Sequence, residues 1–280
     1  MSTDPARLDG MVAIVTGTSP NIGGAFAAGL AAAGAKVVCT DISAETAEAC
    51  AKAITAAGGS AVAVAGDVTD PEHADEAVAR AVELGGKVDV LVNNAVWFNQ
   101  KGLLTMPLPE YRRQLDIILT GPFLFTRAAA RVMIEKGTGG SVVNVLSTAA
   151  WQGQPGNIGY STGKSGLINF TRSAAMELAE HGIRVNGLTP TATAIDDPDI
   201  AGRMAAAKDP SLRYPMDFAG QAPWGKLPTP QDYVPALVFL ASADSKFVNA
   251  TNITVDGGVT AKYWPWRPDL GRVAEDAWTP

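Results

Sequence analysis

The chain has 280 residues, with 22 Lys and Arg against 28 Asp and Glu, a formal net charge of −6. At 47% hydrophobic and 18% charged residues, it is too apolar for a disordered chain, and its acidic balance argues against a nucleic-acid binder, which needs clustered cations to release counterions. Two cysteines, Cys39 and Cys50, supply neither a disulfide framework nor metal-ligand spacing and point to a reduced, cytoplasmic setting.

Met11 to Ala35 carries no charge, yet Thr16 to Asn21 would put polar side chains and a proline into hydrocarbon, and no positive segment precedes it. It reads as a buried strand, a loop and a helix. Short β-branched runs follow in alternation with Ala-rich helical segments. Strands are expected at 12–15, 37–39, 62–64, 88–92, 142–146 and 183–185, and helices near 22–33, 44–57, 71–84, 110–136, 159–180 and 231–241. Runs apolar on both faces suit a parallel sheet covered on each side. The alternation implies an α/β, Rossmann-type doubly wound parallel sheet. Asp70-Pro71-Glu72 reads as a helix cap followed by proline at the first helical position. No linker divides the series, so residues 1–260 are expected to form one domain. Thr189 to Pro230 lacks a clear strand and reads as a functional loop over about 190–228. Residues 261–280 carry Trp264, Trp266 and Trp278 and are expected to pack on the pocket or on a neighbouring subunit.

The first loop, Thr16-Gly17-Thr18-Ser19-Pro20-Asn21-Ile22-Gly23-Gly24, joins a strand to a helix N-terminus. Backbone N–H groups and the helix dipole there favour phosphate, with Gly17, Ser19, Asn21, Ile22 and Gly23 as candidate contacts. Glycine in such a turn also serves structure alone. Asp41 closes the second strand, where a carboxylate can accept from adenosine ribose hydroxyls and would repel a 2′-phosphate. No Lys or Arg lies between Val37 and Ala51, so the cofactor expected is NAD. The alternative role for Asp41 is a cap on the next helix.

Tyr160 and Lys164 stand four apart, on one helix face. A phenol titrates near ~10, and an ammonium beside it would lower that value into a range useful for acid–base work on an alcohol or carbonyl. Ser147 closes the preceding strand at the sheet edge where ligands of such folds bind. Taken singly, a Tyr and a Lys at this spacing are more often a surface pair. The order of strand, serine and Tyr-x-x-x-Lys behind a dinucleotide turn favours catalysis.

Together with Asp67-Val68, Asn93-Asn94-Ala95, Arg184-Val185-Asn186, Pro190 and Asp256-Gly257-Gly258, these pieces resemble the short-chain dehydrogenase/reductase family from about Leu8 to Val259. The resemblance implies that Tyr160 is the acid/base, Ser147 binds the reacting oxygen and Lys164 holds the nicotinamide ribose. It places Asp67 and Val68 against the adenine, Asn94 and Ala95 along the cofactor groove, and Pro190 and Thr193 near the carboxamide. It implies a homotetramer and an enzyme interconverting a secondary alcohol and a ketone. Four departures stand out. Asn21 replaces a turn glycine and is expected to tolerate the left-handed region. Val96 and Thr191 replace glycines. Ile118 stands where the family usually has an asparagine that holds a relay water, which an isoleucine cannot do.

His73 and His181, the two histidines, read as solvated residues near helix ends, so a histidine metal site or hydrolase is not expected. Enoyl reductases of that superfamily carry a wider Tyr-to-Lys spacing, so the resemblance implies C=O rather than C=C reduction. Trp97, Phe98, Trp151 and Trp224 suit an apolar or aromatic small-molecule substrate, or equally a core or subunit contact. The competing functions are a catalytically weakened nucleotide-binding scaffold, and an epimerase or dehydratase that retains its NAD.

Overall fold

A computed structural model describes residues 7–195, 201–202 and 218–262. Seven strands form one parallel sheet in the order β3-β2-β1-β4-β5-β6-β7. They are β1 (Val12–Thr16), β2 (Lys36–Asp41), β3 (Ser60–Ala65), β4 (Val90–Asn93), β5 (Gly140–Val145), β6 (Ile183–Pro190) and β7 (Asn252–Val255). The helices are α1 (Ile22–Ala32), α2 (Ala44–Ala56), α3 (Pro71–Gly85), α4 (Leu108–Leu115), α5 (Gly121–Lys136), α6 (Ile158–Leu178) and α7 (Val234–Ala241), with a single helical turn at Phe218–Gln221. Strand order reverses between β1 and β4, which opens a crevice at their carboxyl ends.

Alternation along each strand feeds two cores. Val12 and Ile14 of β1, Leu91 of β4 and Val142 of β5 face a layer that includes Ala77, Phe125 and Ala129 of α3 and α5. Ala13, Val15, Val90, Val92 and Val143 face the opposite layer, with Phe26 and Leu30 of α1 and Leu237 of α7. Burial on both faces explains why these strands read as continuous apolar runs.

Four expectations change. β6 runs to Pro190, so the segment expected to be irregular begins inside a strand; its buried polar residues had masked the pattern. β7 was not foreseen, being four residues long on the sheet edge and only partly buried. The helix expected over 110–136 is interrupted by a π turn at Asp116–Thr120, where the Gly121 N–H reaches back to the Asp116 carbonyl. Pro122 is the cause: it has no N–H to offer the carbonyl of Ile118, four residues back. His73 is buried, not solvated. The first turn of α3 faces the sheet, and the His73 ring bonds Thr40 Oγ1 at 2.7 Å through Nε2 and meets Phe125 edge-on; burial lowers its pKa. As expected, Asp70 caps α3 by accepting the Glu72 N–H at 3.0 Å.

Among the described residues, Leu108–Lys136 has the length and apolarity of a membrane span. Of that apolar window 61% is buried inside the fold, and the π turn breaks it, so it serves here as a core helix pair. The Trp-rich segment 263–280, and the parts of the loop at 196–200 and 203–217, lie outside the described residues.

Candidate active site

The turn after β1 is built for close approach. Gly17 has φ +71°, and a Cβ there would lie 2.7 Å from Ala95 Cα. A Cβ on Gly23 would meet the Gly17 carbonyl oxygen at 1.9 Å, so the first turn of α1 seats directly on the loop. The side chain of Asn94 holds this arrangement, donating from Nδ2 to the carbonyls of Thr16 at 3.1 Å and Gly17 at 2.8 Å. The N–H groups of Asn94 and Ala95 in turn donate to Thr16 Oγ1. Asn21 has φ −146°, so no left-handed residue is needed there, contrary to expectation. Its Oδ1 is buried without a partner among the described residues, while the Thr18 hydroxyl lies against the Cys50 thiol. Ile22 and Gly23 open α1, where N–H groups lack intrahelical acceptors.

A cavity of about 460 Å³ lies beside this turn and gathers Gly17, Ser19, Asp41, Asp67, Val68 and Ala95. Asn94 lines it too, although its amide is spent on the loop. Asp41 ends β2 and accepts the Ser43 N–H at 3.1 Å, while Ser43 itself caps α2 by accepting the Thr46 N–H. The carboxylate therefore supports the helix start and faces the cavity at once. The Asp67 side chain is more committed than expected. Its Oδ2 pairs with Arg113 of α4, and its Oδ1 accepts the Thr69 N–H and hydroxyl. Burial pushes that carboxyl up, but the Thr69 N–H, the Arg113 guanidinium and the Thr69 hydroxyl outweigh it and hold its pKa below the usual value. Arg113 also lines the cavity; no spacing motif marks it, and only the fold brings it across from α4.

Ser147, Tyr160 and Lys164 come together at the end of β5, outside the lining of that cavity. Ser147 follows the last strand residues and accepts the Ala149 N–H at 3.2 Å. It also lies close enough to the Tyr160 hydroxyl to lower the phenol's pKa. Desolvation raises the Tyr160 pKa, an effect that the nearby Ser147 hydroxyl only partly offsets. Lys164 is 3% exposed; Nζ donates to the Val145 carbonyl at 2.5 Å and lies 5.8 Å from the Tyr160 ring centroid. Burial lowers its pKa to about 7. The expected lowering of the phenol by a neighbouring ammonium is thus reversed in this arrangement: Lys164 serves a backbone carbonyl, and burial governs both groups.

Pro190 closes β6. Thr193 turns its hydroxyl away, donating to the Thr191 carbonyl at 2.9 Å and lying 2.9 Å from the Tyr233 hydroxyl. Thr191, in place of glycine, lies 3.4 Å from Thr148 through the two hydroxyls. Fully buried Tyr233 was not anticipated; it also donates to the Thr191 carbonyl at 3.3 Å and pins the loop after β6. Ile118 is 1% exposed and packs with Leu146, Leu167 and Tyr160. Trp97, Trp151 and Trp224 are exposed, and Phe98 meets Tyr160 edge-on with ring centroids 5.8 Å apart.

Residues 17–260 match a family model described as enoyl-(acyl carrier protein) reductase. An L-rhamnose 1-dehydrogenase (NAD(P)(+)) from Sphingomonas sp. is 37% identical over 90% of this chain and 97% of its own. A galactitol 2-dehydrogenase from Agrobacterium fabrum is also 37% identical, over 90% of this chain and 98% of its own. The crystal structure of a short-chain type dehydrogenase/reductase from Mycobacterium marinum superposes with a TM-score of 0.81 at 30% identity, over 91% of this chain and 97% of the other. Matching relatives along nearly their whole length and superposing on a solved short-chain type dehydrogenase/reductase, the chain belongs to the short-chain dehydrogenase/reductase family.

Proposed function

We propose that this chain is an oxidoreductase that interconverts a secondary alcohol and a ketone with NAD. The observation that carries the reading is the proximity of Ser147, at the end of β5, to the Tyr160 hydroxyl, with Lys164 one turn along α6. The named relatives act on CH–OH groups of small sugars and polyols, which supports a small-molecule alcohol. The Tyr-x-x-x-Lys spacing supports C=O rather than C=C chemistry.

The residues fit a dinucleotide. The α1 N-terminus and the close-packed Gly17 and Gly23 suit its phosphates. The 460 Å³ cavity with Asp41 suits an adenosine, and Asp41 disfavours a 2′-phosphate. Asp67 then acts chiefly as a wall held by Arg113, with Val68 and Ala95 as its apolar surfaces. When bound, the nicotinamide supplies the hydride acceptor or donor. Ser147 donates a hydrogen bond to the substrate oxygen and orients it. Tyr160 takes the hydroxyl proton during oxidation and returns it during reduction. Lys164, about half charged at pH 7 because burial lowers its pKa to about 7, gains charge when an acceptor such as a ribose hydroxyl joins the Val145 carbonyl. Pro190 and the Thr193 backbone bound the carboxamide side.

A homotetramer in the cytoplasm accords with the family resemblance, with the free cysteines and with exposed Leu103, Leu104, Leu108 and Phe123, and we infer both. One domain over 1–260 accords with the single sheet. A weakened, nucleotide-binding scaffold is the second reading, and Ile118 favours it, since no polar group replaces the missing relay residue at that position. Following reduced-cofactor absorbance with secondary alcohols and NAD or NADP decides between them. Turnover with NAD that disappears in Tyr160→Phe is the expected result; NADH binding without any turnover would favour the scaffold.

A further inference from the structure

Gln114 lies at the contact between α4 and α6 and is 0% exposed. Its Nε2 donates to two backbone carbonyls of the loop after β4, Trp97 at 3.2 Å and Asn99 at 3.3 Å. Its Oε1 faces the backbone of Gly159, where a Cβ would lie 2.1 Å away, and has no partner among the described residues. The two carbonyls fix the amide's orientation, because the flipped amide would set oxygen against oxygen. An apolar side chain of similar length would fill this space without stranding a buried oxygen. The two donated bonds are what glutamine adds.

One turn earlier on α4, Glu110 accepts from Asn99 Nδ2 and, at 2.6 Å, from Lys101 Nζ. The loop is therefore stitched to α4 at two levels. The stitched segment carries Phe98, whose edge meets the Tyr160 ring, and Gly159, under the Gln114 amide, directly precedes Tyr160. Gln114 thus touches both the loop that bounds the substrate side and the helical turn that carries the acid/base.

We propose that Gln114 is a positioning residue of the alcohol site: its amide ties the Trp97–Asn99 loop to the first turn of α6 and so sets Phe98 against Tyr160. The proposal rests on the dehydrogenase reading for the consequence in catalysis, and on the two hydrogen bonds alone for the tie itself. Phe98 held edge-on closes one side of the phenol to water and gives the substrate's carbon frame a fixed apolar wall.

The test is Gln114→Met, read in two ways. Amide hydrogen exchange should quicken in peptides covering 96–101 and stay unchanged in α1 and β1. KM for the best alcohol should rise about tenfold while kcat falls less than about threefold and NADH affinity is kept. Phe98→Leu added to that variant should raise KM little further, since both act through the same wall. Where the methionine variant does not fold, Gln114→Glu replaces it: its defect should deepen as pH rises and the carboxyl loses its one donor. Unchanged exchange at 96–101, or a parallel loss of KM, kcat, NADH affinity and thermal midpoint, would overturn the proposal. If the wild type oxidises no alcohol, the dehydrogenase reading fails, and the exchange comparison still decides whether Gln114 holds the loop.

Discussion

Ile118 lays its branched side chain on the backbone of Gly163: a Cβ at 163 would lie 3.0 Å from both Cβ and Cγ2 of Ile118. Gly163 sits between Tyr160 and Lys164 on α6, with Gly166 similarly opposed to Leu119. The flank of the catalytic helix that faces the π turn is therefore dry and tightly packed. Gly163→Ala gains helix propensity worth about 1 kcal/mol but overpacks this contact at a cost of about 1–3 kcal/mol, so the net effect should be destabilising. In an Ile118→Ala background the same substitution should stabilise. Urea midpoints for the four proteins of this cycle test the coupling, and additive effects would show that the contact is slack.

The motifs that made the site legible are local ones: a strand–glycine turn, a strand-end serine, and a Tyr and Lys one helical turn apart. Each can be read within a few residues of chain. Arg113, Gln114 and Tyr233 could not be read this way, because their roles depend on partners 42 to 46 residues away, such as Asp67 and Thr191, or on a loop whose path only the fold reveals. His73 was misread for a related reason: a first helical turn is usually wet, but this one faces the sheet. The π turn was hidden because the hydrophobic period runs through it without a break, although Pro122 was the available signal.

Lys164 should leave a signature in stability against pH that needs no substrate. Its folded pKa is about 7 against an ordinary lysine value of 10.5. Between these two values the unfolded chain binds more protons than the native one, so stability contributed through this group rises with pH across that window. Below about 7 the penalty for burying the charge is fully present; above the ordinary lysine value it is gone. Urea unfolding at pH 7 and pH 9.5, compared with Lys164→Met, should show the wild type gaining more from the rise. Parallel curves would mean that Lys164 titrates normally.

The Arg113–Asp67 pair predicts a cofactor effect larger than its stability effect. Both side chains are about one-third exposed, 35% and 34%, so breaking the pair should cost no more than about 1 kcal/mol of stability. Arg113→Leu releases the Asp67 carboxylate into the wall of the cavity and should weaken NADH binding several-fold in a fluorescence titration. Because the folded Asp67 pKa is depressed, its contribution is present above the ordinary aspartate value and lost as pH falls through the depressed one. The variant should lose that part of the acid limb. A larger stability loss with NADH affinity intact would assign the pair to folding alone.

Asp41 is the residue on which the choice between NAD and NADP turns. Its carboxylate faces the cavity while accepting the Ser43 N–H at 3.1 Å, so its two possible roles make different predictions. Asp41→Ser keeps a short acceptor at the start of α2 and removes the charge that opposes a 2′-phosphate. If discrimination is electrostatic, the ratio of kcat/KM for NADP to that for NAD should rise about tenfold or more, with the thermal midpoint little changed. The rise should be smaller at high salt where the site is open to solvent, as the exposed neighbour Ile42 indicates. A ratio that stays fixed while the midpoint falls would make Asp41 a helix-start residue and leave cofactor choice to the shape of the cavity.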